Sequence, residues 1–353
     1  MTQGIELIQK LALCFGPTSC EGEVTKAIMD ELADCGAELS LDRMGNLTAH
    51  LSGPEGAPRV MLSAHTDEVG FMITDIEDEG FLRFDTLGGI DPSVLCGRLV
   101  TLGDEDKRYT GVIASKGIHV QSADERKKVT PIDEMYIDIG TNSREETEKL
   151  IERGDFGTFD TPFLQMGKDG AYIACKALDD RLGCALLIEV LRAVADKHLP
   201  LDLWFCFTVR EEIGKSGAEV TANRLAPDAA IVIETTAIAD LAEVDPACRV
   251  ADVGKGGVIS LLDRSTIYDR TLVDFALETA KREGIAAQVK RYASGGNDAG
   301  HIHKSGTGVR CLALSAPTRY LHAPMSLASV SDYEAMKALV IAMLNTKEGN
   351  PLC

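Results

Sequence analysis

Metal-binding side chains follow three apolar, strand-like runs in this sequence. His65 ends the run VMLSAH, the pair Glu211 and Glu212 follows WFCFTVR, and Glu234 ends AIVIE. In open parallel α/β sheets the carboxyl ends of the strands form one rim, and ligands bind in the crevice there. We therefore expect these side chains to converge despite their separation along the chain.

Two further segments add side chains of the same kinds. His322 lies just beyond the strand-like run CLALSAP, and Asp179 with Asp180 precedes the apolar helical run LGCALLIEV. Mixed imidazole and carboxylate ligands suit Zn²⁺, Co²⁺ or Mn²⁺. One catalytic zinc usually keeps only about three protein ligands, so two ions that share a carboxylate fit this larger set better. Such a pair activates water, which makes hydrolysis the expected reaction.

The adjacent pair Glu211 and Glu212 is the most informative of these signals. A single His or acidic residue near a strand end is usually a capping or surface group. Two neighbouring carboxylates directly after an apolar run must instead be paired with cations, bound to metal or partly protonated.

The elements around these residues predict a split α/β domain. Beyond residue 170, helix-like and strand-like runs alternate (LGCALLIEVLRAVADK, LDLWFCFTV, GAEVTANRLA, AAIVIE), as is typical of a parallel sheet. Between residues 70 and 170, short strand-like pieces such as GRLVTLG and YTGVIAS are separated by turn residues. We predict a mixed, mostly parallel sheet with helices on both faces, formed by residues 1–69 and 171–353. Residues 70–170 would be an inserted, small β-rich domain.

Composition indicates which binding partners and which cellular compartment to expect. The 353 residues carry a formal net charge of −19, which repels nucleic acid and anionic membrane surfaces. The N-terminal segment lacks the features of a secretion signal, and no apolar run approaches the roughly 18 residues that span a membrane. The ten cysteines occur singly, without a CxxC pair. We therefore expect a cytoplasmic protein with no nucleic-acid or membrane partner.

The sequence resembles the dinuclear metallo-aminopeptidases that include glutamyl and deblocking aminopeptidases and the tetrahedral (TET) peptidases. The resemblance rests on six stretches in the family's order: SAHTDEVGFMI, KALDDRLGCA, TVREEIGKSGA, IVIETT, SGGNDAGHIH and RYLHAP. It implies a hydrolase that removes N-terminal residues from peptide substrates, with two divalent metal ions per subunit, Zn²⁺ or Co²⁺ in the first place and Mn²⁺ as an alternative.

The same resemblance implies a ligand set. Asp179 would bridge the ions, His65 and Glu234 would bind one of them, and Glu212 and His322 would bind the other. The family usually has Asp where this chain has Glu234, so a longer side chain must reach the same ion.

Three further residues receive roles from the resemblance. Glu211 would be the general base. Asp67 would accept the second N–H of the His65 imidazole and fix its tautomer. Asp298, in the SGGNDAGHIH stretch, could contact the amino end of the substrate.

Self-association is also implied by the family. Its members place a small, PDZ-like β domain between the first ligand strand and the bridging Asp, and relatives form dodecamers. We therefore expect residues 70–170 to join subunits into a dimer or a larger assembly, up to a dodecamer.

Two alternatives stay open at this point. One is a related hydrolase of another amide or of a glycosidic bond, since some relatives carry the label endoglucanase. A glycosidase uses two carboxylic side chains without paired metals, which would leave His65 and His322 unexplained. The other is a noncatalytic scaffold, which the presence of all the ligands and of Glu211 disfavours.

Overall fold

The computed structural model describes residues 3–104, 107–347 and 349–352. The helices of these residues are α1 (Gln3–Leu13), α2 (Gly22–Leu32), α3 (Arg144–Thr147), α4 (Leu178–Val194), α5 (Ser216–Leu225), α6 (Arg270–Glu283), α7 (Ala299–Ile302) and α8 (Val330–Asn345). The strands are β1 (Glu38–Leu41), β2 (Leu47–Leu51), β3 (Arg59–His65), β4 (Gly70–Ile76), β5 (Leu82–Leu87), β6 (Leu99–Gly103), β7 (Arg108–Ala114), β8 (Tyr136–Asp138), β9 (Phe156–Phe159), β10 (Leu164–Met166), β11 (Tyr172–Cys175), β12 (Asp202–Thr208), β13 (Ala229–Ala237), β14 (Gly257–Ile259), β15 (Ala287–Val289), β16 (Arg310–Arg319) and β17 (Ser326–Ser329).

Four parallel strands form the centre of a large mixed sheet. They lie in the order β12, β3, β13, β16. Antiparallel strands extend the sheet on both sides, with β2 and β1 beyond β12, and β17, β11 and β10 beyond β16. The central strands are buried over nearly their whole length, as expected of parallel strands covered on both faces. The predicted mixed α/β fold is confirmed.

Two groups of helices pack on this sheet. The 17-residue α4 lies against β3 and β13, and α1 and α8 pack against α4. The shorter helices α5 and α7 contact each other and the neighbouring strands β12, β13 and β16. The apolar residues of α4 are buried because its helical period turns them toward the strands and toward α1. This packing fixes the first turn of α4 at the edge of the sheet where the parallel strands end.

Six antiparallel strands form a separate closed barrel in the order β4-β5-β8-β7-β6-β9. The barrel has its own apolar core, in which the ring of Phe71 makes edge contacts with Phe84 and Phe159. The next strand, β10, pairs with β11 and so belongs to the large sheet. We therefore propose that the inserted domain comprises residues 70–159, with its second boundary nearer residue 160 than 170.

Two further observations concern the membrane-spanning helices and disulfides of the described residues. Among the described residues, no helix has both the length and the apolar character needed to cross a membrane. No disulfide joins the cysteines that the structure describes.

Candidate metal centre

The predicted ligands lie at one edge of the large sheet. His65 is the last residue of β3, Glu234 lies in the second half of β13, Glu212 follows β12, and His322 follows β16. Asp179 comes from the first residues of α4. Because β12, β3, β13 and β16 are parallel, their carboxyl ends bring side chains from distant parts of the sequence together.

Asp179 lies between the two histidines. Its Oδ1 is 3.3 Å from Nε2 of His65, and its Oδ2 is 3.2 Å from Nε2 of His322. Glu234 Oε1 is 3.4 Å from His65 Nε2, and Glu212 Oε1 is 3.4 Å from His322 Nε2. Two groups of one imidazole and two carboxylates therefore share Asp179, and the ligand atoms of each group lie within 4.8 Å of one another. This arrangement suits two cations with a bridging carboxylate.

The charges of this cluster fit divalent cations. Burial, together with the nearby Asp179 and Glu211, raises the pKa of Glu212 to about 8, although His322 acts in the opposite direction. Burial also raises the pKa of Glu234 well above its ordinary value. Glu212 Oε1 is buried and accepts no hydrogen bond. Carboxylates crowded together with little solvent are stabilised by cations, and imidazole with carboxylate is the ligand set of Zn²⁺, Co²⁺ and Mn²⁺ sites.

Both histidines have an acceptor at their second ring nitrogen. His65 Nδ1 lies 3.1 Å from the main-chain oxygen of Asp67 and 3.5 Å from its carboxylate. His322 Nδ1 lies 2.9 Å from the main-chain oxygen of Gly89. A carbonyl oxygen only accepts, so each Nδ1 carries the proton and each Nε2 is left to face the carboxylates. Burial opposes protonation of His322, but Asp179 and Glu212 outweigh it and raise its pKa to about 9.

The carboxylate of Asp67 holds the main chain of the two adjacent glutamates. It accepts hydrogen bonds from the N–H of Glu211 at 3.0 Å, from the N–H of Glu212 at 3.1 Å and from the hydroxyl of Thr18 at 2.5 Å. Burial would raise its pKa, but these hydrogen bonds and His65 lower it below its ordinary value. Asp67 is therefore placed to orient both glutamates as well as His65.

The other two predicted residues differ in their access to the cleft. Glu211 lines the cleft, and its Oε1 is 2.8 Å from Nζ of Lys215. Asp298 is only 1% exposed, and its Oδ2 accepts a hydrogen bond from the hydroxyl of Thr208 at 2.7 Å. Burial, with Glu211 second, raises the pKa of Asp298 to about 7. The neighbouring Asn297, and not Asp298, lines the cleft.

A buried ionic network supports the loop that carries His65 and Asp67. Arg181, in α4, is fully buried and donates to the main-chain oxygens of Thr66 and Gly16. Glu68 Oε1 is 3.3 Å from Arg181 Nη2 and 2.7 Å from Lys176 Nζ. The network joins the end of β3 to the start of α4, which are the two elements that carry His65 and Asp179.

Several residues beside the site have left-handed backbone conformations. Ala177, Arg210, Lys215 and His322 have φ values of 54°, 59°, 57° and 57°. Residues with a Cβ rarely adopt this region, and such strain persists only where the surrounding structure enforces it. These four positions lie within a few residues of a predicted ligand or in the ligand itself, so part of the backbone beside the cluster is held in a strained conformation.

A cleft of about 270 Å³ opens over the cluster. Beside the predicted ligands and Glu211, it is lined by Thr235, Asp263, Lys290 and Asn297. A larger cavity of about 880 Å³ lies elsewhere, between the β1–β2 edge of the sheet and the ends of α4 and α8. None of the predicted site residues lines that cavity, so the smaller cleft is the candidate site.

Residues 45–339 match the family described as M42 glutamyl aminopeptidase. The chain belongs to this family. The lysyl aminopeptidase of Pyrococcus furiosus is 30% identical to it over 344 residues, covering 96% of both chains. As a member of the M42 family the chain is an aminopeptidase, so the predicted family and enzyme class are confirmed.

Solved structures show the same fold for this M42 aminopeptidase. The TET aminopeptidase from the marine sediment archaeon Thaumarchaeota archaeon SCGC AB-539-E09 superimposes with a TM-score of 0.95 at 34% identity, over 99% of this chain and 98% of that one. The Pyrococcus horikoshii TET1 peptidase, which can assemble into a tetrahedron or a large octahedral shell, gives a TM-score of 0.86 at 35% identity. That comparison covers 97% of this chain and 99% of the TET1 chain.

Sequence reasoning missed three groups at the site of this M42 aminopeptidase. Arg181 lies between an acidic pair and an apolar helix. An arginine at the start of such a helix is the sequence feature that could have identified it. Lys215 lies four residues after Glu211 in the matching stretch TVREEIGKSGA, and that spacing was its signal. Lys290 had none, because a lysine in QVKRYAS looks like an ordinary surface residue.

Proposed function

We propose that this M42 aminopeptidase uses two divalent metal ions, Zn²⁺ or Co²⁺ with Mn²⁺ as an alternative, held around Asp179. His65 and Glu234 would hold one ion, and Glu212 and His322 would hold the other. The observation that supports this most strongly is that the two oxygens of Asp179 face the two imidazole Nε2 atoms, at 3.3 and 3.2 Å.

The residues around the cluster would divide the hydrolysis between them. When bound, the metal ions supply Lewis acidity and lower the pKa of water in the site. Glu211 would take the proton of the attacking water on its carboxylate and pass it to the leaving amine of the product peptide. Lys215 pairs with Glu211 Oε1 at 2.8 Å, and Asp67 holds the Glu211 N–H at 3.0 Å, so both would keep the base oriented toward the cleft.

The free α-amine of the substrate would be recognised by the carboxylates of the cleft. Glu212 lines the cleft, whereas Asp298 is buried behind Thr208. We therefore propose that Glu212 accepts the ammonium directly. Asp298, which was predicted to contact it, would act through its charge beside Glu211 rather than by contact.

Self-association of this chain is a further part of the proposal. The TET1 peptidase of Pyrococcus horikoshii assembles into large shells. In the proposed inserted domain, Leu99 on β6 and Ile118, Val120 and Val129 in the segment between β7 and β8 are exposed apolar side chains that a neighbouring subunit would cover. Native mass spectrometry should therefore give a multiple of the 37.9 kDa chain mass. A monomer at micromolar concentration would contradict this part.

Removal and return of metal tests the catalytic proposal. Protein stripped with a chelator should lose activity on peptides with a free N-terminus, and Zn²⁺, Co²⁺ or Mn²⁺ should restore it. Full activity after complete removal of metal would refute the proposal. Cleavage of a glycosidic bond that survives the chelator would instead support the glycosidase alternative.

A further inference from the structure

One loop of the barrel reaches the candidate metal centre. It follows β5 (Leu82–Leu87), and its residue Gly89 lines the cleft. The main-chain oxygen of Gly89 accepts the Nδ1–H of His322 at 2.9 Å. Such a bond fixes the ring, here with Nε2 facing Asp179 and Glu212. The orientation of one predicted ligand therefore depends on a carbonyl group that the proposed inserted domain supplies.

Gly88, the preceding residue of the loop, packs against a second predicted ligand. Its φ of 86° is one that residues with a Cβ rarely adopt. A Cβ added to Gly88 would lie 3.3 Å from both Cβ and Oε2 of Glu212 and 2.8 Å from Cγ1 of Val69. A side chain at this position would displace one of these neighbours. Gly88 and Gly89 thus lie against Glu212 and His322, the two side chains that would bind the same ion besides the bridging carboxylate.

The barrel holds this loop from both sides. Ile90, which comes directly after the two glycines, and Leu95 belong to the buried apolar core of the barrel. The strand before the loop, β5, pairs with β4 and β8 of the same barrel. The carbonyl group that faces the metal centre therefore takes its position from the barrel and not from the large sheet.

Two contacts outside the cleft fix the barrel on the α/β domain. Arg108, on β7, lies 3.0 Å from the carboxylate of Glu23 in α2, and its guanidinium lies 3.7 Å over the ring of Phe15. The hydroxyl of Thr158, on β9, donates to the carboxylate of Glu68 at 2.7 Å. These contacts hold the barrel in the orientation that brings its loop into the cleft.

The ligands of the other predicted ion have their partners in the α/β domain. In the described part of the chain, the side chains of His65 and Glu234 make their hydrogen bonds and close ionic contacts with each other and with Asp67, Asp179 and Thr235. The two halves of the metal cluster therefore differ in the domain that supports them.

We propose that the barrel positions Glu212 and His322 through this loop, so that the affinity for the ion they would bind depends on the barrel. Gly88, Gly89 and Ile90 are positioning residues, because they act through the two ligands. The inference rests on the proposed metal assignment. An outer hydrogen-bond partner of a metal ligand is typically worth about 10- to 100-fold in metal affinity, and a displaced loop should weaken one ion by this factor.

Loosening the loop inside the barrel core tests this coupling without altering the site itself. In Ile90→Ala, one Zn²⁺ should bind as tightly as in the wild type and the other about 10- to 100-fold more weakly, measured by chelator competition and elemental mass spectrometry. Ile76→Ala is the matched control and should leave both affinities unchanged. Ile76 is buried in the same core but lies opposite Leu82, at the end of β4 remote from the loop. Valine replaces alanine at both positions if Ile90→Ala does not fold.

A second pair of variants perturbs the loop directly. Gly88→Ala should weaken the same ion, because the added Cβ collides with Val69 and crowds Glu212. Gly97→Ala, in the same barrel, is its control and should retain both ions. Gly97 has a φ of 82°, and an added Cβ there would meet no atom of the described residues within 4 Å apart from its chain neighbours. It therefore adds similar backbone strain without touching the site.

Double variants identify the ion that is affected. Added to His322→Ala, Ile90→Ala should cause no further loss of affinity for the remaining ion, whereas added to His65→Ala it should weaken the ion that remains. The inference would be overturned if Ile90→Ala and Gly88→Ala bound both ions as tightly as the wild type, if both ions were weakened equally, or if Ile76→Ala caused the same loss. If the saturated wild type holds fewer than two ions, the proposed metal assignment itself has failed.

Discussion

Replacing Arg181 with methionine should destabilise the α/β domain more than any surface substitution. The guanidinium is fully buried and donates to the carbonyl oxygens of Thr66, Leu11 and Gly16 at 2.7, 2.7 and 3.1 Å, and it lies 3.3 Å from Glu68. Removing one member of a buried ion pair costs about 3–5 kcal/mol. This is a reduction of the folding equilibrium constant by roughly 100- to 5,000-fold.

The remaining partner of Glu68 sets the expected value within that range. Lys176 Nζ stays 2.7 Å from Glu68, so the carboxylate keeps one cation and we expect a loss near the lower end, about 3 kcal/mol. Thr66 lies between His65 and Asp67, so Arg181→Met should also weaken metal binding.

Urea unfolding of the metal-free protein measures this effect. Trp204 is the only tryptophan and lies in β12, so its fluorescence reports on the large sheet rather than on the barrel. Arg192→Met is the control on the same helix, because Arg192 pairs with Glu31 but is 31% exposed and should cost less than about 1 kcal/mol. If Arg181→Met does not fold, Arg181→Lys takes its place in the comparison with the Arg192 control. Equal losses for the Arg181 and Arg192 variants would refute the reasoning.

Three further predictions concern the catalytic site. Glu211→Gln should retain its metal and lower kcat by at least about 100-fold; metal analysis beside steady-state kinetics checks this, and a parallel loss of metal would make Glu211 a ligand. Acetylation of the substrate N-terminus should lower kcat/KM by roughly tenfold or more, because a buried carboxylate left without its partner costs about 1–3 kcal/mol; comparable turnover of acetylated and free peptides would exclude an exopeptidase. Metal affinity should rise between about pH 7 and pH 9. The pKa of Glu212 is about 8 and that of His322 is about 9, and below these values protons compete with the metal for the two side chains. Competition with a chelator at the two pH values measures it, and an affinity independent of pH would contradict the assignment of these ligands.

Much of the fold could be predicted because its signals are local. The apolar runs of β3 and β13 and the helical period of α4 are visible in short stretches of sequence, and their alternation indicates a parallel sheet. The antiparallel strands at the two edges of the large sheet could not be predicted in the same way. All three residues of β10 are exposed, so the strand has no apolar pattern, and its place in the sheet depends on pairing with β11.

The residues of the candidate site likewise include some that the sequence predicts and others that only the folded structure shows. His65, Glu212, Glu234 and His322 lie at or just beyond the ends of apolar runs, so their common edge follows from the strand pattern, whereas Asp179 reaches that edge from the first turn of α4. The contact of Asp67 with the main chain of Glu211 joins residues 144 positions apart, and no local pattern encodes it. Lys290 likewise has the sequence context of a surface residue, and only the folded chain buries it in the cleft.

The number of bound metal ions tests the central claim most directly. The claim is that two cations share Asp179, each also bound by one histidine. Protein loaded with Zn²⁺ and freed of excess metal should contain two ions per chain by elemental mass spectrometry, and Glu211→Gln should contain the same number. Asp179→Asn should lose both ions or bind them far more weakly. A saturated wild-type protein that holds a single ion would contradict the account.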